Sequence, residues 1–319
     1  SLMFKKFFCK LIISCSKLIL PIFSKILILL KVNTRTINFL NSQRSLANNN
    51  YNFSKLIKDL LNEKKLLALD IGAQGGFNSD EFFSKKYNTF FEPIMIEPIK
   101  EEAEKLKKKF NYVIDKGIWS SSIKKKIFFL GNRPGSSSMY EPNKLVFSIH
   151  NIKEKDYGKF DITETFEIEC ETLSDTLKKI NIENIDYLKI DTQGSEMEIV
   201  KGMENIKPLL LKIEIQIFSM YKNVTDWTEL VNYLNKLNYM VCEWRNIGSH
   251  ATRTPAEVDM IFIPKYTNSA GKDLIKNNEE KFVSLMLIFG QLKLLKIIAK
   301  ELNFKSLSSI DKFEDKFFF

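Results

Sequence analysis

The stretch that most constrains the fold of this chain is residues 66–78, which read LLALDIGAQGGFN. An apolar run of strand length ends there on Asp70, three glycines follow, and the next residues predict a capped helix over Ser79–Tyr87. Strand, glycine turn and helix form the first βα unit of a nucleotide-binding sheet. A dinucleotide-binding loop reads G-x-G-x-x-G, but Gln74 stands where its second glycine belongs, which disfavours a nicotinamide cofactor.

Strands and helices alternate after this unit. Apolar runs predict six further strands, and helical patterns separate most of them. These strands are Pro93–Glu97, a segment of Tyr112–Trp119, Asp186–Asp191, Pro208–Phe218, Tyr239–Arg245 and Val258–Pro264. The alternation predicts an α/β protein with a doubly wound, parallel sheet.

Residues 123–172 interrupt the alternation. Lys126–Leu130 and Thr165–Glu171 read as strands, and the turn-rich sequence GNRPGSSSMYEPN begins the segment between them. Because a connection of this length is uncommon unless it is functional, we predict a β-hairpin insertion or lid on the substrate side of the sheet.

Acidic or polar residues stand at or near the ends of four predicted strands. They are Asp70, Glu97, Asp191, and Glu214 with Gln216. Ligands of such sheets bind at the carboxyl ends of the strands, so these side chains predict a site at that edge. In residues 209–218, LLLKIEIQIF, polar and apolar residues alternate. Either the polar face of this strand lines a site, or the strand lies at a wet edge of the sheet.

Long apolar segments flank this region. Residues 3–31 carry a polar residue at every seventh position, which indicates a helix. A membrane-spanning helix is disfavoured, because the free energy of inserting Lys17 and Lys25 into a bilayer cancels the free energy gained from the apolar residues. A helix lying on a membrane surface and a helix packed on the protein or on a second subunit both stay open. Residues 267–278 read as a polar linker, and Lys281–Leu302 as one long apolar helix. The predicted domains are an N-terminal amphipathic helical extension, 1–50, a central domain, 51–266, and a C-terminal helical extension, 267–319.

Charge and composition narrow the range of partners. The formal net charge is +9, yet only five basic residues are arginines, and no stretch interleaves basic and aromatic residues as nucleic-acid binders do. The four cysteines form no Cys-x-x-Cys pair and only two histidines occur, which disfavours a zinc or redox site. We therefore expect a cytoplasmic protein without a nucleic-acid partner, and a location at the inner face of the membrane stays open.

Six short motifs follow one another along the central domain. They read DIGAQGGF (70–77), IEP (96–98), GSSS (135–138), ETL (171–173), YLKIDTQGSE (187–196) and KG (201–202). Together they resemble the FkbM-type family of methyltransferases that depend on S-adenosylmethionine (SAM). The resemblance implies a Rossmann-like sheet, mostly parallel with an antiparallel last strand, and in most members O-methylation of sugars and natural products. The chain departs from the family pattern at Gln193, where Glu is usual.

The resemblance and the strand-end positions together predict a SAM pocket. Asp70 is expected to orient the glycine loop or to bind the amino group of SAM, and Glu97 to accept hydrogen bonds from the ribose. The predicted cofactor-binding residues are Asp70, Gly72, Ala73, Gln74, Gly75, Glu97, Asp115, Lys116 and Asp191.

Methyl transfer requires an acceptor atom placed in line and a group that takes its proton. Asp191 is the first choice for this base or for a ligand of a divalent metal, and Glu214 and His150 are alternatives. Ser195 and Glu198 read as the capping box of a short helix and not as part of the chemistry.

Loop residues on the same side of the sheet are candidates for acceptor binding. Arg133 and Arg245 are expected to hold an anionic acceptor, such as a sugar phosphate, because a guanidinium matches phosphate and carboxylate oxygens. Ser137 and Ser138 are expected to hydrogen-bond an acceptor sugar.

The sequence thus predicts a SAM-dependent methyltransferase that methylates a hydroxyl on a sugar, glycan or glycolipid precursor. Two alternatives stay open: a non-catalytic, membrane-associated scaffold that retains a SAM-binding fold, and a nicotinamide-dependent oxidoreductase. The expected partner is a small-molecule or glycan acceptor. Peripheral membrane contact and a homo-oligomer formed through the terminal helices are further options.

Overall fold

Ten strands lie within residues 52–247 and 251–311, the part of the chain that the computed structural model describes. They are β1 (Leu66–Ile71), β2 (Phe91–Ile96), β3 (Tyr112–Ile114), β4 (Gly117–Ile118), β5 (Ile123–Phe129), β6 (Glu164–Glu171), β7 (Tyr187–Ile190), β8 (Leu210–Gln216), β9 (Tyr239–Ile247) and β10 (Glu257–Pro264).

One helix precedes the first strand, and the others connect strands or follow the last of them. They are α1 (Ser54–Leu61), α2 (Lys100–Lys107), α3 (Leu173–Lys179), α4 (Glu196–Lys201), α5 (Trp227–Lys236), α6 (Ser269–Lys276), α7 (Glu279–Ile288), α8 (Leu292–Leu302) and α9 (Leu307–Asp311).

Seven of the strands form one sheet in the order β3-β2-β1-β7-β8-β10-β9. The first five in this order are parallel, and β10 runs antiparallel to both of its neighbours. The predicted fold class is therefore confirmed: an α/β, mostly parallel sheet whose last strand in sequence is antiparallel. This order places the carboxyl ends of β2, β1, β7 and β8 side by side.

Apolar side chains of the central strands form the main core. Leu69, Leu188 and Leu211 are register partners on β1, β7 and β8, and all three are completely buried. Complete burial of a leucine side chain contributes about 1.5–3 kcal/mol. This core fixes the neighbouring strands on which the site is built.

The next position on the same three strands carries a row of charges. Asp70, Lys189 and Lys212 are register partners, and all are buried. The Lys189 ammonium lies 3.0 Å from the Asp70 carboxylate, while Lys212 pairs with Asp80 and lies 3.1 Å from Asp259. Because β8 lies between β7 and β10, the interpretation of its alternating pattern as a wet edge strand is wrong. Its lysine, Lys212, is inside the protein and is paired there.

The insertion (residues 123–171) contains the predicted hairpin. β5 and β6 pair antiparallel over seven positions, and β4 pairs parallel with β6, which gives a separate three-stranded sheet in the order β4-β6-β5. Between β5 and β6 the chain forms short 3₁₀ turns and returns to the hairpin through a bridge between Phe128 and Ser138. The prediction of a β-hairpin insertion is thus confirmed.

The helix predicted directly after the glycine turn, Ser79–Tyr87, is wrong. A 3₁₀ helix at Lys85–Phe90 is the first helical element there. Asn78 and Glu81 have φ angles of 52° and 53°, in the left-handed region, and the Asn78 amide donates a 2.9 Å hydrogen bond to the backbone oxygen of Phe83. Asn78 therefore closes a local turn through its side chain, which competes with helix formation.

The predicted linker at residues 267–278 is also wrong, because α6 occupies most of it. The Asn268 side chain caps this helix by accepting a 2.9 Å hydrogen bond from the backbone of Gly271. The predicted single helix Lys281–Leu302 is divided at Gly290, which has a φ angle of 72°. Gly290 and the residue after it donate backbone hydrogen bonds to Leu287 and Met286, and this pattern ends a helix.

The chain divides into two units, one of residues 60–285 and another whose described parts are residues 52–59 and 286–311. The predicted domain boundaries stay predictions, and the predicted amphipathic helix at residues 3–31 lies outside the described residues. Every helix within the described ranges falls short of the length and apolarity needed to cross a membrane.

Candidate functional site

The glycine loop after β1 is held against the ends of β2 and β7. The backbone N–H groups of Gly72 and Ala73 donate hydrogen bonds of 3.1 and 3.2 Å to the carbonyl of Ile96. Gly72 has a φ angle of 78°, and a Cβ at this position would collide with the backbone oxygen of Asp191. A residue without a side chain is therefore required where the three strands meet.

A cleft, which we name the cofactor groove, opens at this edge of the sheet. Residues from the ends of β1, β2, β4 and β7 line it, together with residues 134–135 and 137–139 of the insertion. It includes seven residues that the sequence assigned to cofactor or acceptor binding: Gly72, Gln74, Glu97, Lys116, Ser137, Ser138 and Asp191. The structure thus brings most of the predicted cofactor residues together.

Glu97 presents a buried carboxylate in the lining of the groove. It follows β2, is 3% exposed, and accepts a 2.9 Å hydrogen bond from the backbone N–H of Ile99. Burial raises the pKa of Glu97 to about 7, because it disfavours the charged form. Hydroxyl groups that donate to this carboxylate would stabilise its charged form.

Asp70 has a supporting position. It is 1% exposed, pairs with Lys189 at 3.0 Å, and is not among the residues that line the groove. Burial raises the pKa of Asp70 although Lys189 opposes this effect. Its place favours the first of its two predicted roles, that of orienting the loop. The signal for Lys189 was present in the sequence, since it is the one charged residue within the apolar strand YLKI.

Asp115 and Lys116, the predicted neighbours of adenine, occupy different environments. Lys116 lines the groove and pairs with Glu171 of β6. Asp115 lies outside the groove lining and forms a 3.0 Å ion pair with Lys107 on the protein surface. Ala73 and Gly75 belong to the glycine loop but also lie outside the groove lining.

A second space, the acceptor cavity, adjoins the cofactor groove. It has a volume of about 430 Å³ and is lined by Arg133, His150, Glu214, Glu257 and others. Three residues line both spaces: Pro134, Gly135 and Gln193. Because the two spaces share a wall, a ligand in one can approach a ligand in the other.

Gln193 is the centre of the hydrogen-bond network at this wall. Its amide nitrogen donates to Asp191 at 3.1 Å and to Glu214 at 2.8 Å. Its amide oxygen lies 2.9 Å from the hydroxyl of Tyr221 and 3.3 Å from the amide nitrogen of Gln216. Both hydrogens of the side-chain amide are therefore used, and its oxygen is within hydrogen-bond distance of two donors. The sequence analysis identified Gln193 only as a departure from the family pattern and did not predict this network.

Glu214 presents a carboxylate to the acceptor cavity from the interior strand β8. Burial raises the pKa of Glu214 well above its ordinary value, and the negative charges of Asp191 and Glu257 raise it further. The pKa of Glu257 is raised to about 7 by burial and by Asp191. Two carboxyl groups with raised pKa values in one cavity are typical of proton-transfer sites.

The other predicted acceptor residues differ in their placement. His150 lines the cavity, and its Nε2 lies 2.8 Å from the backbone oxygen of Phe218. Arg133 also lines it, with its guanidinium 4.5 Å from the centre of the Phe160 ring. Arg245 is outside both linings; it pairs with Glu243, and its guanidinium lies 3.8 Å from the centre of the Phe82 ring.

Ser138 anchors the insertion, and Ser137 holds a turn within it. The hydroxyl of Ser137 accepts a 3.0 Å hydrogen bond from the backbone of Leu130, and that of Ser138 donates a 2.7 Å hydrogen bond to the carbonyl of Gln193. Tyr221, which the sequence analysis did not single out, adds a second anchor, because its hydroxyl lies 2.8 Å from the carbonyl of Ser136. The insertion is thus tied to the residues after β7 and β8.

Within the described ranges, no group of three or more histidine, cysteine, aspartate or glutamate residues is arranged to hold a metal ion. The predicted role of Asp191 as a metal ligand therefore gains no support from its surroundings. Its two carboxylate oxygens face Gln193 and, at 3.6 Å, Lys189.

The groove has features that fit SAM. Gly72 and Gly135 let the backbone pack closely around the groove, since a Cβ on Gly72 would meet the backbone oxygen of Asp191 and a Cβ on Gly135 would lie 2.5 Å from the side-chain oxygen of Gln74. Glu97 offers an acceptor for ribose hydroxyls. The hydroxyl of Ser195, also in the groove wall, is buried and has no hydrogen-bond partner among the described residues.

Comparison with known proteins identifies the family. The Methyltransferase FkbM domain family matches residues 70–241, which is more than half of the chain. The chain therefore belongs to the FkbM family of SAM-dependent methyltransferases, and the predicted family is confirmed. A comparison with curated proteins finds no match.

Solved structures of low sequence identity are also similar to the chain. One is a TehB-like SAM-dependent methyltransferase from Corynebacterium glutamicum ATCC 13032 Kitasato, with 8% identity, a TM-score of 0.34, and coverage of 73% of this chain and 99% of that chain. Another is TrmK of M. capricolum in complex with S-adenosyl-homocysteine (SAH), with 13% identity, a TM-score of 0.29, and coverage of 80% and 96%.

Proposed function

We propose that the chain transfers the methyl group of SAM to a hydroxyl of a sugar, glycan or glycolipid precursor bound in the acceptor cavity. The observation that carries this proposal is the wall that the cofactor groove and the acceptor cavity share, with Gln193 and the Glu214 carboxylate beside it. Family membership supports the cofactor, and the lining of the cavity supports the type of acceptor.

Bound SAM supplies an electrophilic methyl group. A neutral hydroxyl is a weak nucleophile, so the protein has to accept its proton as the new bond forms. Glu214 has the position and the raised pKa of such a base, and the amide of Gln193 holds its carboxylate in place from 2.8 Å. The transfer also requires a fixed approach, which the anchored insertion supports by limiting the volume of the cavity.

The contacts favour Glu214 over Asp191 and His150 as the base. Asp191 lines the cofactor groove, whereas Glu214 lines the acceptor cavity. The Nε2 of His150 is within hydrogen-bond distance of a backbone carbonyl, which holds this nitrogen as a donor and leaves Nδ1 as the proton acceptor of the ring. Glu214 is favoured over His150 because Gln193 holds its carboxylate at the wall shared with the cofactor groove. Asp191 is better placed to assist at the cofactor side of the shared wall.

The lining of the cavity favours a small, hydroxyl-rich acceptor. Its volume of about 430 Å³ lies within the usual range for small-molecule sites. Glu214 and Glu257 offer acceptors for sugar hydroxyls. An anionic acceptor group would meet Arg133 but also these two carboxyl groups, so we propose that the part of the acceptor inside the cavity is uncharged.

The expected cytoplasmic location, with contact at the inner face of a membrane, belongs to the same proposal. Its support is the apolar and basic sequence of residues 3–31, which lie outside the described residues. If liposome flotation gives the same result with and without residues 3–31, this part of the proposal is wrong. An oligomer joined through the terminal helices would be detected by sedimentation of the same two proteins.

Calorimetric titration with SAH tests the cofactor, and Glu97→Ala is expected to lose that binding. Formation of SAH from SAM with a panel of neutral sugars then tests the reaction, and Glu214→Gln is expected to bind SAH normally but to lose turnover. Glu167→Gln, a change at an exposed position of β6, is the matched control. It should bind SAH and turn over as the wild-type protein does. A folded wild-type protein that binds no SAH would contradict the proposal and favour the scaffold alternative.

A further inference from the structure

Ser195 is a buried hydroxyl whose hydrogen-bonding capacity the protein itself leaves unused. The residue is 1% exposed, lies between Gly194 and the start of α4, and lines the cofactor groove. Its Oγ has no hydrogen-bond partner among the described residues. A buried hydroxyl without a partner is unfavourable, because it has given up its bonds with water.

The sequence predicts a hydrogen bond for this hydroxyl that the structure does not show. A capping box would place Ser195 in a hydrogen bond with the backbone of Glu198, but the Ser195 side chain makes no capping bond. Glu198 instead contacts Lys201 and Ser120. The predicted capping box is therefore wrong.

The carboxylate of the next residue, Glu196, accepts hydrogen bonds from the donors near Ser195. One oxygen of Glu196 accepts from the backbone of Thr192 at 3.0 Å, from the hydroxyl of Thr192 at 3.0 Å, and from the backbone of Gly194 at 3.1 Å. Glu196 thus stabilises the turn after β7 without Ser195. The hydroxyl is not needed for the local fold, and it lies in a wall that faces a ligand site.

We propose that the Ser195 hydroxyl forms a hydrogen bond with the SAM bound in the cofactor groove. The inference rests on the proposed function, since it requires SAM to be the ligand. A serine hydroxyl can donate to the carboxylate of the amino-acid half of SAM or pair with the polar atoms of its adenosine half. In either case the ligand completes a hydrogen bond that the protein alone leaves unmade.

Ser195→Ala separates this role from a structural one by two measurements. Because the unpartnered hydroxyl is unfavourable in the ligand-free protein, its removal is expected to leave the melting temperature unchanged or higher. Because the bond to the ligand is lost, the affinity for SAH measured by calorimetry is expected to fall about tenfold. A residue needed only for the fold would lower the melting temperature.

Ser284→Ala is the matched control. Ser284 is completely buried, and its hydroxyl donates a 2.7 Å hydrogen bond to the carbonyl of Glu280 in α7. Loss of this bond is expected to lower the melting temperature and to leave the affinity for SAH unchanged. The control therefore shows the pattern of a buried serine that serves the fold alone.

A second probe, 5′-methylthioadenosine, lacks the amino-acid half of the ligand. If Ser195→Ala weakens the binding of both probes, the hydroxyl contacts the adenosine half. If only the binding of SAH weakens, it contacts the amino-acid half; both results support the inference. If wild-type protein binds SAH and Ser195→Ala binds it equally well, the inference is wrong while the proposed function stands. If wild-type protein binds no SAH, the proposed function itself is contradicted.

Discussion

The side-chain amide nitrogen of Gln193 lies 2.8 Å from the Glu214 carboxylate and donates a hydrogen bond to it. The same nitrogen donates to Asp191 at 3.1 Å, so a single neutral group bridges two carboxylates. An amide can do this because it brings two hydrogens and no charge. A carboxylate at this position would place three acids together, and at least one of them would have to bind a proton or a cation.

Gln193→Glu is therefore expected to move the pH dependence of methyl transfer. The base must be ionised to accept a proton, so activity rises as the pH passes its pKa. A third carboxyl group raises that pKa further, and we expect the rising limb of kcat/KM to shift upward by about one pH unit or more. SAH formation measured between pH 6 and pH 10 checks this. An unchanged limb would show that Glu214 is not the group that titrates.

Glu97→Gln is expected to remove a pH dependence from cofactor binding. The pKa of Glu97 is raised to about 7 by burial, and ribose hydroxyls bind better to its charged form. In wild-type protein, the affinity for SAH should therefore rise as the pH increases through 7. The variant cannot ionise, so its affinity should be lower above pH 7 and nearly independent of pH. Calorimetry at pH 6, 7 and 8 measures this, and Glu101→Gln, on the exposed surface, should behave as wild type.

Gly72→Ala is expected to destabilise the fold and to prevent cofactor binding. The new Cβ would collide with the backbone oxygen of Asp191, and the φ angle of 78° is unfavourable for alanine. Strain and overpacking together cost about 3 kcal/mol in the free energy of unfolding, measured by chemical denaturation. At Gly158 the nearest heavy atom would lie 3.6 Å from an added Cβ, so Gly158→Ala should change stability by about 1 kcal/mol or less. Equal effects of both substitutions would contradict the proposed packing of the loop.

Lys189→Met is expected to leave Asp70 as a buried, unpaired carboxylate. Removing one partner of a buried ion pair costs about 3–5 kcal/mol in the free energy of unfolding. Because Asp70 can then bind a proton, the loss should be smaller at pH 5 than at pH 8. Asp70→Asn combined with Lys189→Met should recover part of the stability, since it removes the orphan charge.

An exposed lysine on β5 provides the control for that experiment. Lys126→Met removes one positive charge without affecting a buried partner, and its effect on stability should be within about 0.5 kcal/mol at both pH values. If Lys189→Met is equally harmless, the pairing with Asp70 contributes nothing to the folded state.

The sequence predicts the sheet and the edge that carries the site, for physical reasons that are local. An apolar run such as residues 66–69 can be buried only as an interior strand, and an acid that ends such a run has to face a ligand or a partner. Glu97 ends such a run and lines the cofactor groove, and Glu214, on the polar face of an alternating strand, lines the acceptor cavity. The hydrophobic periodicity and the free energy required to bury a charge were sufficient to predict these two positions.

The contacts that complete the site could not be predicted in this way, because they join distant parts of the chain. Tyr221 reaches Ser136 and Gln193 only after the insertion has folded back onto β8. The prediction of a helix over Ser79–Tyr87 was wrong for a different reason. The Asn78 side chain forms hydrogen bonds with the backbone of Phe83, and helix propensity does not account for such bonds, which compete with a helix. Loop geometry after a glycine turn depends on such bonds more than on composition.

The pairing of Asp70 with Lys189 also restricts how the central strands can align. The two residues are direct partners in the parallel ladder of β1 and β7, on the face opposite to Leu69 and Leu188. A shift of β7 by one residue would turn Lys189 toward the leucines and leave Asp70 facing an apolar side chain. Such a misaligned sheet would bury two separated charges, whereas the native sheet buries none unpaired at these positions. The ion pair therefore selects one alignment of the strands, and with it the position at which the glycine loop meets the end of β7.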